Sequence, residues 1–168
     1  ASARKHEFLK QRGLDVAIDY RTENWLGRVL EATNGKGVEL AIDPLGGKNW
    51  RLSYKALRAT GRLGMFGVST VTEGGAGGKL NFLPVLMQMP VYHPLGLINR
   101  NKGVFGVNMG HLWNEGEKVR EWGLDILKGV EDGWIHPHVD KVFPFDQAAE
   151  AHQYIENRQN IGKVVLIP

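Results

Sequence analysis

The sequence predicts an α/β fold, a doubly wound parallel sheet with helices on both faces. Three observations carry this. Apolar runs of strand length recur at residues 16–18, 38–42, 61–66, 103–107, 141–145 and 163–167. Segments with apolar residues at helical spacing stand between most of them. The 22 glycines fall mostly at the junctions, where strands and helices end. Strands separated by helices pair in parallel, because each crossover carries the chain back to the same end of the sheet.

In order, residues 4–12 have a helical pattern that stops at Gly13, a helix-ending residue. Residues 16–18 read as a strand ending near Asp19 and Tyr20. Thr22 is placed to cap a helix through Trp25, Val29 and Leu30 that ends by Asn34 and Gly35. The second strand, 38–42, is closed by Asp43-Pro44-Leu45-Gly46-Gly47. A helix over 50–57 puts Leu52, Ala56 and Leu57 on one side, and a third strand over 61–66 follows the turn at Thr60 and Gly61. Residues 71–78 read as a loop and 103–107 as a fourth strand. A long helix over 112–130 ends at Asp132 and Gly133. A strand at 141–145, a helix over 147–154 and a strand at 163–167 close the chain, and no internal repeat is visible.

The bulk numbers narrow the class of function. At 168 residues the chain is long enough for a domain with its own core. The net charge of +3 is mild and no Lys/Arg block points to nucleic acid. Without cysteine there is neither a disulfide framework nor a cysteine metal site, which suits a reducing compartment and a cytoplasmic location. The first eleven residues are charged and carry no secretory pattern. The apolar stretch 80–98 is broken by three prolines and by Asn81, Gln88 and His93, so it reads as a groove-lining or surface segment rather than a membrane span.

Ligands of open parallel sheets sit at the carboxyl ends of the strands. Here that means Tyr20, the run from Asp43 to Gly47, the run from Gly67 to Ser69, and the run from Val107 to Met109. A strand followed by G-x-G-x-x-G and a helix is the usual pyrophosphate device. Gly61-x-x-Gly64-x-x-Gly67 lies within a strand pattern and precedes no helix, and the glycines from Gly74 to Gly78 follow no strand directly; both read as turns or linkers. Ser2, Lys5, Tyr20 and Arg158 offer two cations and a phenol, a set suited to a phosphate through charge-assisted hydrogen bonds. Lys5 or Arg158 taken alone is more commonly a solvated surface charge. His136-Pro137-His138 puts two imidazoles close, with Asp140 nearby, but a metal needs three or four ligands held in place and the proline favours an extended loop, so no metal site is expected. No residue stands out as acid, base or nucleophile, so no catalytic side chain is assigned.

Several stretches, taken in order, resemble one family. They are Ala1-Ser2-Ala3-Arg4-Lys5, Val16-Ala17-Ile18-Asp19-Tyr20-Arg21, Gly37 through Gly47, Gly61 through Gly67, Ala148-Ala149-Glu150-Ala151-His152 and Ile161 through Leu166. Together they resemble the C-terminal half of the quinone-oxidoreductase branch of the medium-chain dehydrogenase/reductase superfamily. Leu97-Ile98-Asn99-Arg100-Asn101-Lys102-Gly103-Val104-Phe105-Gly106 is most similar to its vesicle-amine-transport-protein-like subgroup.

The resemblance implies a zinc-independent, NADPH-dependent transfer of hydride to a quinone or other α,β-unsaturated carbonyl. Ser2, Lys5, Tyr20 and Arg158 would hold the adenosine 2′-phosphate. Gly46 and Gly47 would let backbone approach the cofactor. Phe66, Gly67 and Ser69 would run along the nicotinamide side, and backbone near Phe105, Gly106 and Val107 would bind the carboxamide. A homodimer is implied, with the strands at 103–107 meeting across a two-fold. Set against whole members, the chain is expected to be an incomplete Rossmann sheet. It lacks the first strand, the glycine-rich turn and most of the second strand. Residues 1–135 would be the partial cofactor domain, and 136–168 a β-α-β segment returning to a catalytic domain. Taken alone, such a polypeptide would fold poorly or pair the strand at Val16 with the one at Val38. A non-enzymatic, membrane-associated binding protein on the same fold is the alternative; against it, residues 80–98 lack the Lys/Arg-rich face of an interfacial helix.

Overall fold

The computed structural model describes residues 1–69 and 85–168. The loop predicted at 71–78 and the start of the apolar stretch, 80–84, lie outside the described residues. The chain forms two compact units, Ala1–His111 and Leu112–Pro168.

In the first unit, a 3-10 turn at Ala3–Lys5 runs into α1, His6–Gln11, which ends before Gly13 at φ 89°. The strand predicted at 16–18 does not form: among the described residues the segment pairs with no strand, the one at Val38 included. A β-branched run is only a strand where a ladder receives its N–H and C=O groups. Helix α2, Trp25–Ala32, is capped by Asn24, whose side chain accepts from Gly27 N at 3.3 Å. Thr22 is therefore not the cap; Asn24, the residue directly before the first helical position, has the extended φ/ψ that capping requires.

Strand β1 spans Val38–Asp43, α3 spans Lys48–Ala56 and β2 spans Leu57–Met65. Leu57, expected to end α3, instead opens β2, with φ −71° and ψ 140°. Helix α4, Pro94–Arg100, leads into β3, Gly103–Gly106. The three strands are parallel, in the order β1-β2-β3. α3 packs across β1 and β2, and the core of this unit forms there around Ala56, Leu57 and Leu63. Leu63 is fully buried, a contribution of about 1.5–3 kcal/mol by transfer arguments.

Tyr92 ties the segment before α4 to α3. Its hydroxyl donates to Trp50 O at 3.1 Å and its ring lies 5.1 Å from that of Tyr54. Burial above all, then Tyr54 and Asp43, pushes its phenol up to about 12. A folded-state pKa above the unfolded value of about 10 stabilises the fold fully below pH 10, and that contribution is lost as pH rises toward 12. The thermal midpoint should therefore fall across this window, and Tyr92→Phe should flatten the fall. A phenolate absorbance titration complete by pH 11 would contradict the assignment.

In the second unit, a 3-10 turn at Trp113–Glu115 precedes α5, Gly116–Glu131, so the long helix begins later than 112. Then come β4, Val139–Pro144, α6, Ala148–Glu156, and β5, Lys163–Ile167, with β4 and β5 parallel. Phe143 and Ala151 are its buried apolar residues. The Asp140 carboxylate closes the unit by accepting from Tyr154 Oη at 2.9 Å and Ile161 N at 3.0 Å. Lys141 Nζ sits 4.6 Å from the Phe143 ring and 5.2 Å from that of Tyr154.

Candidate functional site

The parallel register aligns the carboxyl ends of the first sheet: Asp43 is level with Met65, and Met65 with Gly106. The three connections leaving those residues are bound to one another. Phe66 N donates to Asp43 O at 3.4 Å, Ser69 N to Pro44 O at 3.0 Å, and Val107 N to Met65 O at 2.9 Å.

The turn after β1 is organised by one buried carboxylate. Asp43 is 4% exposed. Its Oδ1 accepts from Leu45 N at 2.7 Å and Gly46 N at 3.4 Å, and its Oδ2 accepts from Ser53 Oγ on α3 at 2.6 Å. A buried carboxylate must be satisfied in this way to be tolerated. The result is that Gly46 and Gly47, both buried, are held at the start of α3 with φ 84° and 55°. A Cβ on Gly46 would come within 2.6 Å of Val68 Cγ1, so the β1 and β2 exits touch there without room for a side chain.

Beside this contact a cleft of about 550 Å³ opens, lined by Trp50, Met65, Phe66, Gly67, Val68, Gly106, Val107 and Asn108. The Nε1 of Trp50 is buried and has no acceptor among the described residues. Of the residues singled out in the sequence, Phe66, Gly67, Gly106 and Val107 line the cleft. Gly46, Gly47 and Ser69 belong to the turns at its edge. The Phe105 ring lies elsewhere, against Gly64 of β2, where a Cβ would come within 2.8 Å of it. Gly61 and Gly64 lie in β2 and Gly67 just after it, within the strand pattern as read, but a helical residue, Ser69, follows two positions on.

Ser2 and Lys5 stand on one segment and Tyr20 on another, away from this cleft's lining. Asp19 joins the two segments that carry them: Oδ2 accepts from Ala3 N at 3.1 Å and Oδ1 from Arg21 N at 3.0 Å. The Arg21 N–H, and then that of Ala3, hold its carboxyl below the usual range against the opposing effect of burial. Arg158 follows α6 in the second unit with φ 56°, a left-handed conformation uncommon for a residue with a Cβ.

Sequence reasoning placed Asp43 in a strand-end run without giving it a role, and passed over Asp19, Ser53 and Trp50 as site residues. For Asp43 a signal was present: an Asp leading a Pro-x-Gly-Gly turn at a strand end accepts from backbone N–H groups two and three residues on. Nothing in the sequence pointed to Trp50.

The sheet, its aligned strand ends and the β-α-β unit are the doubly wound Rossmann-type α/β fold predicted. A family model described as zinc-binding dehydrogenase matches residues 12–166, and the chain belongs to that family. Over its whole length it is 32% identical to the synaptic vesicle membrane protein VAT-1 homolog of Homo sapiens, covering 42% of that protein. It is 26% identical to a quinone oxidoreductase of Pseudomonas aeruginosa, covering 100% of this chain and 47% of the relative. A mycobacterial protein solved in complex with NADPH shares the fold at a TM-score of 0.73 and 27% identity, with 100% of this chain and 48% of that one covered. The chain thus spans less than half the length of these relatives, which fall in the branch and subgroup that the sequence resembles. The residues present do not fit the zinc of the family's name: there is no cysteine, and no three His, Asp or Glu gather among the described residues.

Proposed function

We propose that the chain is the cofactor-binding portion of a zinc-independent, NADPH-dependent oxidoreductase that delivers hydride to a quinone or another conjugated carbonyl. The observation that carries this reading is the cleft at the aligned carboxyl ends of β1, β2 and β3, the place where open parallel sheets hold dinucleotides. The relatives named quinone oxidoreductase and solved with NADPH support it. When bound, the nicotinamide supplies the hydride. The work of this chain is to place it. Phe66 and Gly67 would lie along the ring, and backbone at 105–107 would hold its carboxamide. The Val107 N–H is already committed to Met65 O, so Gly106 and the Val107 carbonyl are the groups left for that role. Gly46 and Gly47 would allow close backbone approach. Lys5, with Ser2 and Tyr20, would take the 2′-phosphate, the three kept on adjoining segments by Asp19.

Lys5→Ala tests the phosphate assignment. NADPH binding should weaken by about ten- to a hundredfold, the worth of one charge-assisted hydrogen bond, while NADH binding stays unchanged. Equal losses for the two cofactors, measured by fluorescence titration, would refute it.

We further assign the protein to the cytoplasm as a homodimer. The absence of cysteine suits a reducing compartment, and β3 ends the sheet order with one edge unpaired by any described strand. A membrane-associated binding role is the second reading. It is favoured by the relatives named synaptic vesicle membrane protein and by the exposure of Met87, Val91 and Leu95. No helix among the described residues is long and apolar enough to cross a membrane. Co-sedimentation with liposomes at physiological salt separates the two readings.

A further inference from the structure

A second concavity, of about 330 Å³, lies between α3 and the segment running through Pro90 into α4, and it shares no residue with the cleft at the strand ends. Its size falls within the range of small-ligand sites. Arg51 and Lys55 from α3 and Arg100 from the end of α4 line it. Arg51 and Lys55 are four residues apart and so share a helix face. Lys102 stands close by, with Nζ donating to Tyr54 O at 3.2 Å and lying 5.2 Å from the Tyr54 ring.

Among the described residues no acid neutralises these cations, and no carboxylate lines the groove. None of the four ion pairs found among the described residues uses Arg51, Lys55, Arg100 or Lys102. The imbalance is already written in the sequence: from Pro44 to Asn114 there are eight lysines and arginines and one acid, Glu73, in a chain with 21 of one and 18 of the other. Like charges gathered at a concave, partly apolar surface repel one another. Lys102 shows this, its ammonium shifted down by burial and then by Arg100. The same field attracts an anion. The rest of the wall is aromatic and aliphatic, from Tyr54, Tyr92, Pro90 and Leu97.

We propose that this groove is a second ligand site, taking a phosphate group on Arg51, Lys55 and Arg100 while the two tyrosines receive the body that carries it. Guanidinium forks match phosphate oxygens two at a time, and the apolar wall excludes water from that contact. The phosphate is that of a soluble organic phosphate or of a lipid headgroup, and the test has one arm for each. It does not rest on the cofactor reading.

The purified protein is titrated with pyrophosphate by calorimetry, and the double variant below separates binding in this groove from binding in the other cleft. In a second arm it is mixed with phosphatidylcholine vesicles with and without phosphatidic acid. Saturable binding is expected in at least one arm; pyrophosphate alone identifies a soluble ligand, and phosphatidic acid vesicles alone identify a headgroup. The Arg51→Ala, Arg100→Ala double variant should bind at least about tenfold more weakly. Arg58→Ala, which removes a cation paired with Glu39 outside the groove, should bind as the parent does. All three side chains concerned are exposed, and melting midpoints check that each variant stays folded. No saturable binding in either arm, unchanged binding by the double variant, or an equal loss in Arg58→Ala overturns the proposal.

Discussion

Asp43→Ala should lower the thermal midpoint of the protein by roughly 6–12 °C. The carboxylate is buried and accepts from two backbone N–H groups of the following turn and from the Ser53 hydroxyl. Removing it leaves three donors to find other partners where little water reaches them. Bonds to a charged acceptor are individually worth about 1.5–3 kcal/mol and do not add in full, so about 3 kcal/mol is the expected loss. In a domain of this size about 1 kcal/mol moves the midpoint by about 2–4 °C. Ser53→Ala should lose about 1 kcal/mol, and the double variant little more than Asp43→Ala alone, because the hydroxyl has nothing left to donate to. A midpoint within a degree of the parent for Asp43→Ala would show that the turn does not depend on this carboxylate.

Gly46→Val should weaken cofactor binding by about ten- to a hundredfold. At φ 84° the backbone is in the left-handed region, where a β-branched residue is strained by about 1–3 kcal/mol. The new Cβ would also meet Val68 Cγ1 at 2.6 Å and Val68 Cα at 3.3 Å. Relief requires the β1 and β2 exits to move apart, and those exits carry the turn of Gly46 and Gly47 and the cleft wall at Phe66 and Gly67. A strain of that size, taken up as displacement at the site, converts to the stated loss. Gly13→Ala, where a Cβ would meet nothing within 4 Å, controls for strain away from the site and should leave binding unchanged. If Gly46→Val bound NADPH as tightly as the parent, the strand-end cleft would not be the cofactor site.

The alternation of strands and helices was legible because each strand from Val38 onward is an apolar run closed by a turn residue, and each is paired in the fold. The segment at 16–18 has the same composition and forms no strand, since composition cannot report whether a ladder partner is present. Helix and strand boundaries slipped where neighbouring elements abut without a turn, as at Ala56 and Leu57. Of the cleft residues, Gly67 and Val107 could be placed because parallel topology puts every strand exit at one end, and Phe66 and Gly106 only through the resemblance to a family that uses those positions. Asp43 could be placed at a strand exit but not given its role, and Asp19 and Trp50 could not be read in the same way. Their roles come from which backbone groups fold back onto them, and that is long-range information. The groove at Arg51 and Arg100 was hidden for a related reason: its cations are dispersed along the chain and converge only when α3 and α4 pack.

The pairing of β1 with β2 is uneven along its length. Between Val38↔Leu57 and Leu40↔Arg62, β2 advances five positions while β1 advances two; beyond Leu40 the two keep step to Asp43 and Met65. All of the slack is therefore taken up at the amino ends, farthest from the cleft. Lengthening or shortening the chain by a residue at positions 58–61 should be absorbed where the slack already lies, while the same change at 63–65 would slide every side chain of the exit onto the opposite face. For changes of chain length, the sheet has a forgiving end and an unforgiving one.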